Sequence, residues 1–371
     1  ILIIILCLKI KLSQRKKMAQ NPNAIKTLIH QWSKELGFDG FGVAGIEIQK
    51  DEKHLQSWLD RKFHGSMNYM EKHGLKRSRP DVLLPGTIRV ISLKMHYFSR
   101  EKDQALALLK KNEVGYIANY AVSNDYHQII KERLKVIIAK IKDYSELQGQ
   151  NYFVDSAPVL ERALARNAGL GWIGKNTNLI HNSSGSWFFL AEIFTDIPLP
   201  IDRSSINHCG TCSACIDICP TQAFTMPYQL DARKCISYLT IENKKSIAVE
   251  LRPAIGNRIF GCDDCQIICP FNKFAKKIEI SDLLPKEELL SQPLEQLFLW
   301  SEKEWDDTTQ STALARAGYD GWLRNIAVAL GNARTTERIV DALRSRNNQQ
   351  SQMVNEHIYW ALEQHQKKSN Q

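Results

Sequence analysis

Long apolar runs are scarce in this chain of 371 residues. The N-terminal stretch Ile1 to Leu8 is eight residues long, where about 20 are needed to cross a bilayer. Lys9, Lys11, Arg15, Lys16 and Lys17 follow it without a small-residue cleavage site, so neither a spanning helix nor a secretory signal is expected. Cysteine is missing from most of the chain as well. Outside Cys209 to Cys269 there is only Cys7, which excludes a disulfide framework spread over the fold and points to a reducing, cytoplasmic setting with no membrane. A strong charge of one sign is the third absence. The formal +9 includes five basic residues and no acid before Met18, leaving +4 for residues 18–371. Such a balance is weak evidence for nucleic acid. Residues 1–17 are expected to be a non-native or disordered leader, with Met18 as the true start.

What is present suits two or three globular domains, with 43% hydrophobic residues. Residues 24–36 have helical apolar spacing and stop at Gly37. Strands are expected at Gly40 to Ala44, Thr87 to Met95, Tyr152 to Asp155 and Gly185 to Thr195. A long amphipathic helix is expected over Asp125 to Leu147, and another from Pro158 to Ala168 with the proline in its first turn. This alternation predicts an α/β domain over about 18–205. An acidic, proline-marked connector begins at Ile278. Gly321 to Leu330, Glu337 to Arg344 and Val354 to Gln364 then read as short helices that stack through Trp322, Ile326, Ala329, Leu330, Ile339, Ala342 and Leu343, like a small repeat unit. Arg233, Lys234, Lys244, Lys245, Arg252 and Arg258 make a local basic cluster. It suits a phosphate backbone or, equally, a solvated surface.

Eight of the nine cysteines form the runs Cys209-x2-Cys212-x2-Cys215-x3-Cys219-Pro220 and Cys262-x2-Cys265-x3-Cys269-Pro270, with Cys235 between them. Two-residue gaps let one loop deliver three thiolates to three corners of a 4Fe-4S cubane, and the cysteine before proline ligates the other cluster. Cys209, Cys212, Cys215 and Cys269 are therefore expected to hold one cluster. The second run lacks its first cysteine. Cys219, Cys262 and Cys265 then need Cys235 as the fourth ligand of the other cluster. Zinc ribbons also use Cys-x2-Cys pairs, but they do not require the Cys-Pro closing both runs.

Clusters move single electrons, so bond chemistry needs another centre. Asp155-Ser-Ala-Pro-Val-Leu-Glu-Arg162 places Asp155 after a strand and before a helix, where folds of this kind hold ligands. Helix capping is the plainer role for that carboxylate. Gly169, Gly171 and Gly174 spell G-x-G-x-x-G, yet they follow a helix and not a strand, which disfavours a dinucleotide. Close approach of the backbone to another large cofactor stays open.

These segments, together with the strand WFFLAEI, the run CGTCSACIDICPTQA, CISYLTIE and GNRIFGCDDCQIICP, resemble the epoxyqueuosine reductase family from Ala24 onward. The resemblance implies reduction of the epoxide of epoxyqueuosine to queuosine at the wobble position of tRNA, the final step of queuosine synthesis. It implies cobalamin as the reactive centre, two 4Fe-4S clusters for electron delivery and an external low-potential electron donor. Its fold would be α+β and multidomain. A cobalamin-binding α/β domain would occupy 18–205, a ferredoxin-like two-cluster domain 206–276, and C-terminal HEAT-like helices 277–371. By the same resemblance Asp155 is the proton donor, which needs to be protonated when the substrate is bound, a state that burial against the corrin face favours. Arg77, Arg162, Lys175, Asn176, Leu190, Ser237 and Asp264 would line the cobalamin or the cavity above it. Cobalamin proteins with a histidine ligand carry D-x-H-x-x-G. The nearest segment here, Asp125-Tyr-His127-Gln-Ile-Ile130, lacks the glycine, so cobalt without a protein histidine is expected. A monomer is expected too. Two rivals are a cytoplasmic enzyme like the reductive dehalogenases, which share these cofactors but usually carry a twin-arginine signal, and a simple iron-sulfur electron carrier, which leaves the α/β domain unexplained.

Overall fold

The computed structural model describes residues 21–144 and 149–370. The expectation for residues 1–17 and the end of the helix expected to reach Leu147 lie outside these. Helix α1 (Pro22–Glu35) starts where the Asn21 side chain accepts from the Asn23 and Ala24 amides, with proline in the first turn. It buries Ile25, Ile29 and Trp32. Strand β1 (Gly40–Ala44) follows, then β2 (Arg89–His96), helix α2 (Tyr126–Tyr144), β3 (Asn151–Phe153), helix α3 (Glu161–Asn167) and β4 (Phe188–Thr195).

The strands form one sheet in the order β1-β2-β4-β3. Every pairing in it is antiparallel. The α/β alternation expected of this domain is thus laid on an antiparallel sheet. Strand spacing reads the same whichever way a strand runs, and β4 enters the centre of the sheet against both neighbours. Helices still cover both faces. Ile91, Leu93, Met95, Ala191 and Ile193 pack with α1 and α2, while Val90 and Phe194 pack with Ala163 and Leu164 of α3. Each fully buried Ile, Leu or Met contributes roughly 1.5–3 kcal/mol of hydrophobic stabilisation.

The second helix starts later than its proline suggested. Residues 154–160 are a loop and α3 begins at Glu161. Val159 is buried with Val90 and Phe194 and its amide bonds to the Ala157 carbonyl, so the chain is anchored to the core before it can wind. The glycines 169 and 171 serve the hairpin Trp172–Ile173 with Leu179–Ile180. Gly171 has φ +149, and a Cβ there would meet the Ile180 carbonyl oxygen at 2.3 Å.

The cysteine-rich segment is stitched to this sheet domain where Arg258–Phe260 pairs in parallel with Tyr116–Ile117. Within it α4 (Ile236–Ile241) begins directly after Cys235. Three C-terminal helices follow: α5 (Tyr319–Asn332), α6 (Glu337–Arg346) and α7 (Gln352–Ser369). One continuous core runs from Ile236, Leu239 and Phe260 to Trp322, Ile326, Leu330 and Ile358. Arg324 lies fully buried inside it. Its guanidinium donates to the carbonyls of Leu239, Asn243 and Lys245 at 2.6–2.8 Å. That places three charge-assisted bonds on the C-terminal end of the helix Cys235 starts, so the helical layer fixes one wall of the site.

Candidate functional site

Asp155 sits in the loop between β3 and α3 with φ 40, a left-handed backbone uncommon for a side chain with a Cβ. Such a conformation costs on the order of 1 kcal/mol and persists only where neighbours hold it. Here they do. Its amide donates to Glu161 Oε1 in a short bond. Its Oδ2 accepts from the Tyr126 hydroxyl at 2.7 Å and from His127 Nε2 at 3.2 Å. His127 and Tyr126 lie at the start of α2, where Asp125 Oδ1 accepts from the His127 amide at 2.9 Å and meets Nδ1 at 2.7 Å. Tyr126 stacks on Phe189 of β4 with ring centroids 3.8 Å apart, and His127 stacks on Tyr126 at 4.0 Å. The ring stack leaves Nε2 one direction, toward Asp155.

The electrostatics follow from this placement. Burial opposes charge on His127, but bonds to Asp125 and Asp155 override it and raise its pKa to about 9. Burial also works against the charged form of Asp155, and the bonds from His127 and Tyr126, with the charges of His127 and Arg162, outweigh it and hold its pKa below the usual value. The Asp155 side chain is 59% exposed although protein surrounds it, because it hangs into an open cavity. Filling that space would strengthen the push of burial against the charged form. The expectation of a protonated Asp155 concerns the site with substrate bound; the contacts with His127 and Tyr126 by themselves favour the carboxylate.

Two more carboxyls stand behind this pair. Burial and the nearby charge of Asp155 push the Glu161 pKa up to about 8. Burial pushes Glu192 of β4 well above the ordinary range, and the Glu161 carboxyl adds to it.

The cavity contains about 1480 Å³ of empty space, its mouth included. Asp155, Arg162, Asn176, Leu190, Ser237 and Asp264 all line it, as do Tyr126, Glu161, Phe188 and Phe189. Two of the expected contacts stand apart. Lys175 donates to the Gly210 and Cys212 carbonyls and so braces the first cysteine loop. Arg77 is buried, donates to the Tyr69 carbonyl and feels the charge of Glu161. Asp264 pairs with Arg258 through two bonds in the wall.

The eight thiols are free. Cys215 is raised by burial and by Cys269, Cys209 and Cys212. Cys265 is raised by burial and, among the thiols, most by Cys235, and Cys262 also feels Cys235. Cys219, Cys235, Cys262 and Cys265 line the cavity, whereas Cys209, Cys212, Cys215 and Cys269 do not. The isolated Cys235 thus stands with the incomplete run.

His127, Tyr126, Glu161 and Glu192 were assigned no part in the site from sequence. The one available signal was Glu192, an acid inside the apolar strand WFFLAEI. His127 drew notice only as a cobalt ligand, and its Nε2 is turned to Asp155 instead.

Comparison with known proteins agrees with this geometry. A family model described as 4Fe-4S double cluster binding domain matches residues 208–272, and one described as Epoxyqueuosine reductase QueG, DUF1730, matches 77–156. An epoxyqueuosine reductase of Pseudomonas aeruginosa is 51% identical over 346 residues, 93% of this chain and 96% of its own. That of Escherichia coli is 46% identical over 92% of this chain and 90% of its own. The Bacillus subtilis enzyme, solved with its catalytic aspartate loop swung out of the active site, superposes with a TM-score of 0.82 at 26% identity, over 91% of this chain and 90% of its own. An epoxyqueuosine reductase crystallised with an epoxyqueuosine-modified tRNA-Tyr stem loop superposes with a TM-score of 0.79 at 25% identity, over 92% of this chain and 98% of its own. On sequence and fold alike, this chain belongs to the epoxyqueuosine reductase family.

Proposed function

We propose that this protein reduces the epoxide of epoxyqueuosine in tRNA to the alkene of queuosine, with Asp155 delivering a proton to the departing oxygen. The observation that carries this reading is the Asp155 carboxyl, hydrogen-bonded to Tyr126 and His127 while facing a cavity lined by four cysteines. Converting an epoxide to an alkene and water consumes two electrons and two protons. The electrons need a path and the protons a donor.

Thiolates are the donors a 4Fe-4S cluster requires, and the two groups of four thiols fit two clusters. Cys209, Cys212, Cys215 and Cys269 would hold the outer one. Cys219, Cys235, Cys262 and Cys265 would hold the one at the cavity. An open cavity with apolar Leu179, Phe188, Phe189 and Leu190 beside polar Asn176, Arg162 and Ser237 has the mixed lining that suits a large macrocycle such as cobalamin. When bound there, cobalamin supplies a strongly reducing cobalt able to attack or reduce carbon. Leu190, Ser237, Asn176, Arg162 and Asp264 would hold it, with Arg77 and Lys175 supporting the walls. Because His127 Nε2 is engaged by Asp155, His127 is not assigned to the cobalt.

The chain's own part is proton handling. His127 stores the proton, Asp155 presents it to the cavity, and Tyr126 orients the carboxyl by its 2.7 Å bond. Filling the cavity removes water from Asp155 and raises the cost of the ion pair, which moves the proton from His127 to Asp155. The divisions at about 205 and 276, the ferredoxin-like character of the middle segment and the HEAT-like character of α5 to α7 belong to the same reading. So do a monomeric state, a cytoplasmic location and an external low-potential electron donor. Of the basic cluster, Arg233, Lys234, Lys244 and Lys245 are exposed and offer charge for a tRNA backbone, whereas Arg252 and Arg258 are buried against Glu356 and Asp264. Among the described residues no helix is long and apolar enough to cross a membrane.

The test is direct. The protein is purified anaerobically and given cobalamin, a low-potential reductant and tRNA carrying epoxyqueuosine, and the nucleosides are then analysed. Queuosine is expected. Asp155→Asn should keep the cluster and cobalamin spectra and lose turnover by roughly 10²–10⁴-fold. Failure to form queuosine in the wild type would overturn the assignment, and full activity of the variant would remove the acid role.

A further inference from the structure

Glu192 is the most anomalous side chain near the site. It lies at the centre of the sheet, paired in register with Ser92 of β2 and Phe153 of β3, and it is 0% exposed. Among the described residues neither of its carboxylate oxygens has a hydrogen-bond partner, and neither has the Ser92 hydroxyl beside it. An ionised carboxylate in that position would cost several kcal/mol. The group facing it is another carboxyl, that of Glu161, within hydrogen-bonding reach. Two like charges cannot both be held there, so a proton between them is the missing partner.

Glu161 also has a second bond to make. Its Oε1 accepts from the amide of Asp155, the residue held at φ 40. Of the contacts that keep the Asp155 loop in place, this one acts on the backbone itself. Around the two glutamates stand Asp155, Arg162, Arg77, Tyr126 and Ser92, with His127 one step beyond through Asp155. Arg162 favours charge on Glu161 and Asp155 opposes it.

We propose that Glu161 and Glu192 share one proton and serve as positioning residues: the singly protonated pair latches the Asp155 loop with its carboxyl toward the cavity, and loss of that proton frees the loop. With the proton in place, Glu192 donates to Glu161, and Glu161 accepts from the Asp155 amide with its other lone pairs. Without it, two buried carboxylates repel, Glu161 moves away and the strained loop relaxes outward. Burial and the neighbouring Glu161 carboxyl hold the Glu192 proton well above the ordinary carboxyl range, so the release is expected as pH rises. The proposal rests on the reading of Asp155 as the acid, but the state of the loop can be measured without substrate or turnover.

Hydrogen–deuterium exchange of residues 153–160 in the cluster-loaded protein, without cobalamin or tRNA, reads the latch. After correction for intrinsic pH dependence, exchange at Asp155 should be steady near neutral pH and rise by roughly tenfold per pH unit once the pair loses its proton. Glu192→Gln keeps a donor toward Glu161 but has no proton to lose, so its exchange should stay slow and independent of pH. Glu161→Ala should exchange fast at every pH. If Glu161→Ala fails to fold, the pH series in the wild type and Glu192→Gln still decides. Exchange that stays flat in the wild type overturns the proposal, as does wild-type protection in Glu161→Ala. An alkaline rise that persists in Glu192→Gln also overturns it, since His127 would then be the titrating group. Absence of queuosine formation would strike the functional reading and leave these exchange results untouched.

Discussion

Replacing Asp155 with Asn should lower the pKa of His127, and the structure sets the size of the effect. His127 is raised from 6.5 to about 9, which corresponds to roughly 3 kcal/mol in favour of the imidazolium. Two carboxylates supply it, Asp125 at Nδ1 and Asp155 at Nε2. Burial opposes it, and so does the N-terminus of α2, where the helix dipole disfavours a cation. Removing one carboxylate takes away about half of the favourable part and leaves the opposition intact. Because Asp155 is 59% exposed, solvent screens its share. The expected fall is then at least about one unit, or ~1.4 kcal/mol. Histidine-selective NMR titration measures it directly, with His127→Gln assigning the resonance among ten histidines. The sign is fixed by linkage. A raised histidine stabilises the fold fully below its ordinary 6.5, and that contribution is lost as pH rises through about 9. Asp155, held low, contributes above its ordinary range and loses that contribution as pH falls through its lowered value. A His127 titration that moves by less than about 0.3 unit in the variant would refute the coupling.

His127→Gln should retain clusters and tRNA binding but lose rate at lower pH than the wild type, whose His127 is raised to about 9; pH–rate profiles check this, and coincident alkaline limbs would remove His127 from proton supply. Arg324→Leu should lower the guanidinium midpoint by the equivalent of roughly 3 kcal/mol, because three buried carbonyls lose their donor; a loss below about 1 kcal/mol would show that water replaces the arginine. Cys235→Ser should leave about half of the iron and sulfide and remove the cluster nearest the cavity, seen by EPR, while the set of Cys209, Cys212, Cys215 and Cys269 stays filled. Two intact clusters in that variant would mean that another group ligates the second one.

The features legible in the sequence were those carried by local spacing. Cys-x2-Cys gaps and the two Cys-Pro closures act within single loops, so the thiol groups could be sorted by counting. Asp155 was legible because it ends a strand before a helix. Strand direction was not, since β2 and β4 are nearly a hundred residues apart and either sense reads alike. The start of α3 was misplaced because Pro158 suits a first turn, while the burial of Val159 delays the helix to Glu161. His127 and Tyr126 looked like ordinary positions at the start of an amphipathic helix. Only the stack on Phe189 and the return of the chain through β3 bring them to Asp155. Lys175, named for the cavity, instead holds the carbonyls of a cysteine loop that closes around it in space.

For Asp155 as the proposed proton donor, contacts that favour the carboxylate look self-defeating until the whole group is considered. An isolated neutral aspartic acid in an open cavity would lose its proton to water at pH 7. Pairing it with His127 keeps that proton about 3 Å away on a base held at the unfavourable end of a helix. The ion pair is stable only while solvent reaches Asp155. Substrate that seals the cavity removes the screening, and the neutral pair of carboxylic acid and imidazole becomes the cheaper arrangement. On the proposed reading the acid would be armed by occupancy, at the moment when the leaving oxygen is present to receive the proton. The same logic explains why the loop must be fixed through its backbone. Once His127 has given up its proton, its attraction for Asp155 weakens, and Glu161 at the amide still keeps the carboxyl aimed at the substrate.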